Sequence, residues 1–270
     1  MRRLVIVKGG GDIATGIVHR LFRSGFDVVI TEIDKPTVIR RTVAFAEAVY
    51  TGAACVEGIE AALAKKEEIS QLLAWGKVPV LVDPRGSLVR LLKPWALVDA
   101  ILAKRNMGTA VTDAGVVIGV GPGFTAGQDA HAVVETMRGH ELGRIITHGT
   151  ALPNTGIPGN IGGFTSERLI KAPGEGIFQA KRKIGDTVCQ NALVAYVDNV
   201  PVRAEISGVL RGILQNGLTV YKGMKVGDVD PRCRREHCFS ISDKARAVGG
   251  GVLEALLWLG GKNEPVFASI

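Results

Sequence analysis

A strand, a glycine-rich turn and a helix follow one another at the start of the chain. Leu4-Val5-Ile6-Val7 is a continuous apolar run rich in β-branched residues, and it stops at Lys8-Gly9-Gly10-Gly11-Asp12. Apolar residues then recur at helical spacing from Ile13, and residues 27–32 form a second apolar run that ends in an acid. Two buried strands joined by a helix predict a βαβ unit, and therefore a parallel sheet.

The alternation continues over residues 1–120. Short apolar runs at 78–82 and 116–120 predict further strands, and helical spacing predicts helices over 57–75 and 95–104. Strands that alternate with helices favour a mostly parallel sheet with helices on both faces. We therefore predict a Rossmann-like nucleotide-binding domain over residues 1–120.

The amino-acid composition and pattern of the chain change after residue 120. Glycine accounts for 35 of the 270 residues, nearly twice the usual share of about 7%. Residues 121–170 are rich in Gly, Pro, Thr and Asn and predict a loop-rich connecting segment. Residues 171–231 show short alternating runs, and residues 232–270 form a tail with a helix over 245–259, whose Gly249-Gly250-Gly251 run predicts close backbone packing.

A short sequence repeat lies in the region predicted to be all-β. Lys183-Ile184-Gly185-Asp186-Thr187-Val188 is repeated in type at residues 225–230, and residues 201–210 are similar to the second half of biotinyl and lipoyl domains. The fold class predicted is thus α/β: a Rossmann-like, mostly parallel sheet, then an all-β barrel-sandwich hybrid, then a C-terminal helix. The hairpin at 198–201 lacks the lysine of a working carrier domain, which predicts a module kept for its shape.

Composition narrows the classes of partner. The net charge of +7 allows an anionic partner, but scattered basic residues and few aromatic ones predict no nucleic-acid binding. The apolar runs are shorter than the roughly 20 residues of a membrane helix, and no signal-peptide pattern is present, so we expect a cytoplasmic protein without a membrane partner. Nucleophile-elbow, P-loop and zincin motifs are absent from the sequence, which removes the corresponding enzyme classes.

The glycine-rich turn predicts a nucleotide site. Gly9-x-Gly11-x-x-Ala14 follows a strand and opens a helix, where glycines let the backbone approach a pyrophosphate and the helix offers free N–H groups. Glu32 ends the second strand, where it would accept a hydrogen bond from a ribose hydroxyl. The predicted cofactor-binding residues are Gly9, Gly10, Gly11, Asp12, Ile13, Ala14 and Glu32. The alternative is a tight turn that has lost its ligand.

Two further groups are candidates for chemistry. His131 and Glu135 would share a face of a helix, which makes His131 a candidate acid/base group rather than an ordinary surface residue. Cys238 follows a run of arginines that would lower its thiol pKa, which makes it a candidate reactive thiol rather than a structural one. Both are predicted as catalytic residues, and no metal site is predicted because the spacing of Cys233 and Cys238 matches no closed zinc site.

Several segments together closely resemble one bacterial family. They are Lys8-Gly9-Gly10-Gly11-Asp12-Ile13-Ala14-Thr15-Gly16, Gly121-Pro122-Gly123-Phe124, Val133-Val134-Glu135-Thr136-Met137-Arg138-Gly139-His140, Val226-Gly227-Asp228-Val229-Asp230-Pro231-Arg232 and Ile241-Ser242-Asp243-Lys244-Ala245. The family is the YqeB-type accessory proteins of selenium-dependent molybdenum hydroxylases, distant kin of the xanthine dehydrogenase accessory proteins. The resemblance implies a maturation role, a molybdopterin cofactor and the hydroxylase apoenzyme as partner.

Three functions remain open from the sequence. The first is a maturation factor that binds a molybdopterin dinucleotide or a related nucleotide-type ligand at residues 9–14. The second is an oxidoreductase that uses NAD at the same loop, with His131 or His140 as proton donor. The third is a non-catalytic scaffold with a vestigial loop. The sequence alone does not decide whether the chain is an enzyme.

Overall fold

The fold is taken from a computed structural model, which describes residues 2–261. The α-helices of that range are α1 (Asp12–Arg23), α2 (Ala48–Thr51), α3 (Ile69–Ala74), α4 (Ser87–Leu92) and α5 (Asp243–Gly261). The strands are β1 (Leu4–Lys8), β2 (Asp27–Glu32), β3 (Ala53–Val56), β4 (Ile59–Leu63), β5 (Val78–Val82), β6 (Ala96–Asp99), β7 (Val116–Val120), β8 (Thr125–Ala126), β9 (Ala132–Val134), β10 (Ile145–Ile146), β11 (Gly149–Thr150), β12 (Leu169–Lys171), β13 (Gly176–Ala180), β14 (Thr187–Val188), β15 (Leu193–Val197), β16 (Val200–Arg203), β17 (Gly208–Ile213), β18 (Thr219–Val220) and β19 (Lys225–Asp230).

A nine-stranded mixed sheet forms the larger part of the molecule. Its strand order is β10-β9-β7-β6-β1-β2-β5-β4-β3. The inner strands run parallel, and β3 and β10 at the two edges pair antiparallel with their neighbours. The carboxyl ends of β1, β2, β5 and β6 therefore meet at one edge of the sheet.

Both faces of this sheet are covered, which explains why its strands read as continuous apolar runs. Val5 and Val7 pack into a core shared with α1 and α5, whereas Ile6 points into a second core with residues of α3 and α4. Since neighbouring residues of a strand face opposite sides, an apolar residue is required at each of these positions.

Helices α1 and α5 cross at closely spaced glycines. A methyl group added to Gly249 would lie 2.8 Å from the carbonyl oxygen of Gly16, and one added to Gly16 would lie 2.7 Å from the carbonyl oxygen of Ala245. Gly251 likewise has no room for a side chain, because the backbone of Gly143 lies against it. The predicted close packing is thus confirmed at Gly249 and Gly251, while Gly250 faces open space.

The region after residue 165 forms two four-stranded antiparallel sheets around their own core. Their orders are β12-β19-β17-β14 and β16-β15-β13-β18. This part docks on the segment that follows β2: the N–H of Ile213 donates to the carbonyl oxygen of Ile39 at 2.7 Å, and Nε of Arg41 donates to the carbonyl oxygen of Ile213 at 3.0 Å.

The predicted fold class, a Rossmann-like sheet followed by a barrel-sandwich hybrid and a C-terminal helix, is wrong. The large sheet is mixed, with antiparallel strands at both edges, and it takes β9 and β10 from beyond residue 120. An irregular segment, residues 100–115, stands between β6 and β7 where a crossover helix is expected. The all-β region consists of two separate antiparallel sheets.

Two helix predictions are also wrong. Residues 95–104 contain the fully buried strand β6, and residues 57–75 contain strand β4 before the short helix α3. Short apolar runs that are buried on both faces show no period that separates a strand from a helix. By contrast, the predicted strands at 27–32, 78–82 and 116–120 are confirmed with those bounds.

The division into residues 1–120, 121–170, 171–231 and 232–270 stays a prediction. The large sheet continues into the second range through β9 and β10, and α5 from the fourth range packs on it. The last nine residues of the fourth range, 262–270, lie outside the described part of the chain. Over residues 2–261, the chain contains no helix with the length and apolar character needed to span a bilayer.

The glycine crossing predicts opposite effects at two adjacent positions. Gly249→Ala places a methyl group against the Gly16 carbonyl and should lower the free energy of unfolding by about 1–3 kcal/mol, as overpacking does. Gly250→Ala adds a methyl group in open space and should raise it by up to about 1 kcal/mol, since alanine favours the helix. Urea unfolding measures both, and equal effects at the two positions would contradict the crossing.

Candidate functional site

A cavity lies at the carboxyl ends of β1, β2, β5 and β6. Its volume is about 370 Å³, within the range of small-molecule sites. Ligands of open α/β sheets characteristically bind at this edge of the sheet. The cavity is lined by residues 8–9, 11–14, 31–33, 36–38, 83–86, 100–103 and 107–108. Of the predicted cofactor-binding residues it thus includes all except Gly10.

The three glycines of the turn have different roles. Gly9 has a φ of +90°, which disfavours any side chain, and Gly10 packs so tightly on Ala46 that an added methyl group would lie 2.8 Å from its backbone nitrogen. Gly11 has an ordinary extended backbone, and a methyl group there would meet only Val38, at 3.7 Å. The fold therefore requires Gly9 and Gly10, whereas the missing side chain of Gly11 leaves open space at the cavity wall.

Two groups at this cavity can attract an anion. Gly11 is the N-cap of α1 and has no side chain that could cap the helix, so the first turn presents N–H groups without partners in a preceding turn. Arg85 is exposed, lines the cavity and makes no hydrogen bond or ion pair with any residue in 2–261. Both groups are suited to an anion.

Lys8 adds a second cation, held in place by a chain of hydrogen bonds. Nζ of Lys8 donates to Oγ1 of Thr109 at 2.7 Å, and that hydroxyl donates to Oδ2 of Asp99 at 2.6 Å. Asp99 is buried at the end of β6, and its other oxygen accepts the N–H of Ile101. Lys8 is therefore fixed beside the glycine turn rather than free to extend into solvent.

Glu32 faces the glycine turn from the end of β2. Oε2 accepts the N–H of Gly10 at 2.8 Å, and Oε1 accepts the N–H of Ile33 at 2.8 Å. Burial raises the pKa of this carboxyl, and the two backbone hydrogen bonds oppose that shift only in part. Each oxygen keeps a further lone pair that could accept a hydrogen bond from a ribose hydroxyl. The contact with a ribose stays a prediction.

Asp12 joins the glycine turn to the C-terminal part of the chain. Its Oδ2 accepts from Nη1 of Arg40 at 3.1 Å, and Nη2 of the same guanidinium donates to the carbonyl oxygens of His237 and Ser240. Arg40 is buried. Asp12 therefore serves to hold α1 against neighbouring segments, and its carboxylate is partly neutralised at the cavity wall.

Apolar side chains line the rest of the cavity. Ile33, Ile101 and Met107 are 42%, 46% and 54% exposed although they are large and apolar. Such residues are normally buried, and together they can receive an apolar or aromatic ring system. Helix N–H groups and cationic side chains next to an apolar wall are the groups that a nucleotide-type ligand needs.

His131 lies away from this cavity. It precedes β9, at the opposite end of the parallel strands, where its Nδ1 accepts the N–H of Val117 at 3.0 Å. Burial lowers its pKa. The expected helix with Glu135 is replaced by strand β9, and Glu135 is buried with its oxygens accepting three backbone N–H groups, those of Thr136, Met137 and Leu152. The catalytic role of His131 stays a prediction and has no contact with the cavity to support it.

Cys238 is buried, and its Sγ lies 3.8 Å from the carbonyl oxygen of Leu210. Burial raises its pKa, and the nearby charges of Arg40 and Arg211 do not reverse that shift. Basic neighbours do act to lower this pKa, but the expected net lowering is wrong, because loss of hydration outweighs their attraction for a thiolate. A catalytic role for Cys238 stays a prediction, and the lowered thiol pKa on which it was based is not found.

Sequence reasoning missed Lys8, Arg85 and Asp99 as site residues. Each belongs to or follows a buried strand at the same edge of the sheet, where charged residues interrupt apolar runs: Lys8 ends β1, Glu32 ends β2, Asp83 follows β5 and Asp99 ends β6. These charged residues at the ends of the strands were the sequence signal that could have identified the site. Asp83 itself is structural, since it accepts hydrogen bonds from the first turn of α4.

The cysteine environments predict a labelling pattern. Cys55, Cys189 and Cys233 are exposed, whereas Cys238 is buried. In the native protein at pH 8, iodoacetamide should modify the three exposed thiols and leave Cys238 unmodified, because the reagent attacks accessible thiolates. Peptide mass spectrometry measures this, with urea-unfolded protein as the control in which all four react. Rapid labelling of native Cys238 would contradict its burial.

Comparison with solved structures gives only weak likenesses. An aspartoacylase family protein from Mesorhizobium loti matches at 10% identity and a TM-score of 0.26, with 84% of each chain covered. The ectoine utilization protein EutE (DoeB) from Ruegeria pomeroyi matches at 12% identity and a TM-score of 0.26, covering 84% of this chain and 85% of the other. TM-scores at this level do not establish a shared fold.

Comparison of sequences gives a much stronger relation. No protein-family model matches the chain. A protein of Escherichia coli strain K12 named YqeB, described as uncharacterized, is 51% identical over 258 residues, which cover 95% of this chain and 48% of YqeB. The chain thus spans about half the length of this curated relative. It is a relative of YqeB that corresponds to about half of that protein.

Proposed function

We propose that the chain binds an anionic, nucleotide-type ligand in the cavity beside the glycine turn, and that it acts in the maturation of a selenium-dependent molybdenum hydroxylase. The ligand proposed is a molybdopterin dinucleotide. Its phosphates would lie at Gly11 and the first turn of α1, between Lys8 and Arg85, and its ring systems against Ile101 and Met107. The hydroxylase apoenzyme is the proposed partner.

The observation that carries the binding proposal is the open position at Gly11. A methyl group there would meet only Val38, at 3.7 Å, so the protein's own packing does not account for a glycine. The position adjoins free helix N–H groups and two cations, which a phosphate would engage. A ligand that approaches the backbone at this point would explain why the position is occupied by glycine.

The maturation role is supported by the family resemblance and by the way the resembling segments assemble. Arg138 from the segment 133–140 forms a bidentate pair with Asp243 from the segment 241–245, at 2.7 Å for both bonds. Ala245 of the latter segment packs on Gly16 at the end of the glycine-turn segment. Three of the five segments that carry the resemblance are thus in contact with one another.

The oxidoreductase alternative has less support from the geometry. It assigns proton transfer to His131 or His140, and neither lines the cavity among the described residues. The titratable residues that line the cavity are Lys8, Asp12, Glu32, Asp83 and Arg85. No histidine of the described part of the chain is among them. A scaffold with a vestigial loop would bind no nucleotide at all, so a binding measurement separates it from the other two.

Ligand binding tests the site directly. Calorimetric titration with ADP, CDP, GDP and NAD should detect binding of at least one of these probes, because each carries phosphates and a ring system. Gly11→Val should weaken that binding about tenfold or more by filling the space in front of the turn. The matched control is Gly174→Val, since Gly174 also has open space around it and lies outside the cavity.

Two outcomes would count against the binding proposal. Affinity that is unchanged in Gly11→Val would show that the glycine turn is not the site. Absence of binding for every probe to the wild-type protein would favour the scaffold. Cooperative urea unfolding of wild type, Gly11→Val and Gly174→Val is the control that shows the variants are folded, with a somewhat lower midpoint expected for Gly11→Val because valine is a poor N-cap residue.

The maturation role needs a separate experiment. In cells that produce a selenium-dependent molybdenum hydroxylase together with this protein, Gly11→Val should lower the hydroxylase's specific activity and molybdenum content about tenfold. The Gly174→Val variant should leave both unchanged. A fully active hydroxylase from Gly11→Val cells, despite lost nucleotide binding by the purified variant, would overturn the maturation role and leave the binding site standing.

A further inference from the structure

A second recess lies at the other end of α1. It has a volume of about 460 Å³ and is formed by α1 from Gly16 onward, the start of α5 and the turn between β3 and β4. Its lining residues are Gly16, His19, Arg20, Arg23, Ser24, Glu57, Ile241 and Arg246. None of them lines the cavity at the glycine turn.

Positive charge dominates this recess. Three guanidinium groups, those of Arg20, Arg23 and Arg246, surround a single carboxylate, that of Glu57. Glu57 is already occupied: its two oxygens accept from Nη2 of Arg246 at 2.7 and 2.8 Å, and Oε1 also accepts the N–H of Ile241 at 2.8 Å. The carboxylate therefore neutralises Arg246 and leaves the other two arginines uncompensated.

Arg20 and Arg23 make few contacts that would stabilise the fold. Arg20 makes one long hydrogen bond, 3.3 Å from Nη2 to the carbonyl oxygen of Arg246, and Arg23 makes no hydrogen bond or ion pair within residues 2–261. Basic residues often stabilise the end of a helix by bonding its last carbonyls. Here the carbonyls of Arg20, Leu21 and Phe22 already accept backbone N–H groups from residues 24–26, so hydrogen bonds to these carbonyls do not account for the two arginines.

His19 forms the inner wall of the recess. It is 9% exposed, and its Nε2 lies 3.6 Å from Oε2 of Glu57. Burial lowers its pKa; Glu57 opposes that shift, and the charges of Arg246, Arg23 and Arg20 add to it. The imidazole is therefore a neutral hydrogen-bonding group at neutral pH, next to guanidinium groups that face the same space.

We propose that this recess is a second anion site, which binds the phosphoryl group of a small soluble ligand through Arg20, Arg23 and Arg246. A planar guanidinium donates two parallel hydrogen bonds to a phosphate, and several together suit a dianion. The site is separate from the cavity of the proposed function, because the two share no lining residue and Arg20 lies eight residues beyond Asp12, a rise of about 12 Å along α1. It stands whether or not that proposed function is correct.

Titration with inorganic phosphate and pyrophosphate at low ionic strength tests the proposal. The double variant Arg20→Gln and Arg23→Gln should weaken binding at the recess about tenfold or more, since each lost guanidinium removes charge-assisted hydrogen bonds. The matched control is Arg182→Gln with Lys183→Gln, which removes the same charge from an exposed basic turn elsewhere. That control should leave the affinity within about twofold of wild type.

Gly11→Val separates this site from the cavity at the glycine turn. Phosphate or pyrophosphate binding that survives Gly11→Val and is lost in the double arginine variant assigns it to the recess. Equal losses in the double arginine variant and in the Arg182/Lys183 control would reduce the effect to general charge attraction and overturn the proposal. Failure of wild type to bind either anion would also overturn it, and unfolding curves verify that the surface variants are folded.

Discussion

The close crossing of α1 and α5 is the contact on which the rest of the architecture depends. Gly16 and Gly249 let the two backbones meet, and this contact brings the C-terminal helix onto the same sheet as the first strand of the chain. Helix α1 is thereby fixed at both ends: its first turn faces the cavity at the glycine turn, and its last turn faces the arginine recess. One tightly packed helix therefore contributes to two separate recesses, one lined by both cations and carboxylates and one with an excess of arginines.

Buried charges connect the two parts of the fold. Arg40 follows β2, pairs with Asp12 at the glycine turn and donates to the carbonyls of His237 and Ser240. Both terminal nitrogens of this buried guanidinium have acceptors, which offset much of the cost of burying the charge. The position of each segment therefore depends on the others. The geometry of the cavity is thus set by residues distant in sequence, including some that follow the antiparallel sheets.

Local patterns predicted the parts of the fold whose cause is local. The strand at 27–32 and the glycine-opened helix were predictable, because apolar runs and turn glycines act over a few residues. Residues 95–104 were not, since a short run buried on both faces suits a strand as well as a helix. Of the site, the glycine turn and Glu32 were predicted to lie together, whereas Lys8, Arg85 and the wall at Ile101 and Met107 were not.

The sequence by itself determined that a glycine turn opens a helix after a buried strand, and that anionic ligands are the chemistry to expect there. Only the tertiary structure decided which glycine is open, because Gly10 is enclosed by Ala46 and Gly11 is not. It also decided that Cys238 is buried with a raised pKa and that Arg20, Arg23 and Arg246 share a recess. Burial and proximity depend on contacts between distant segments, and no local pattern of residue types specifies them.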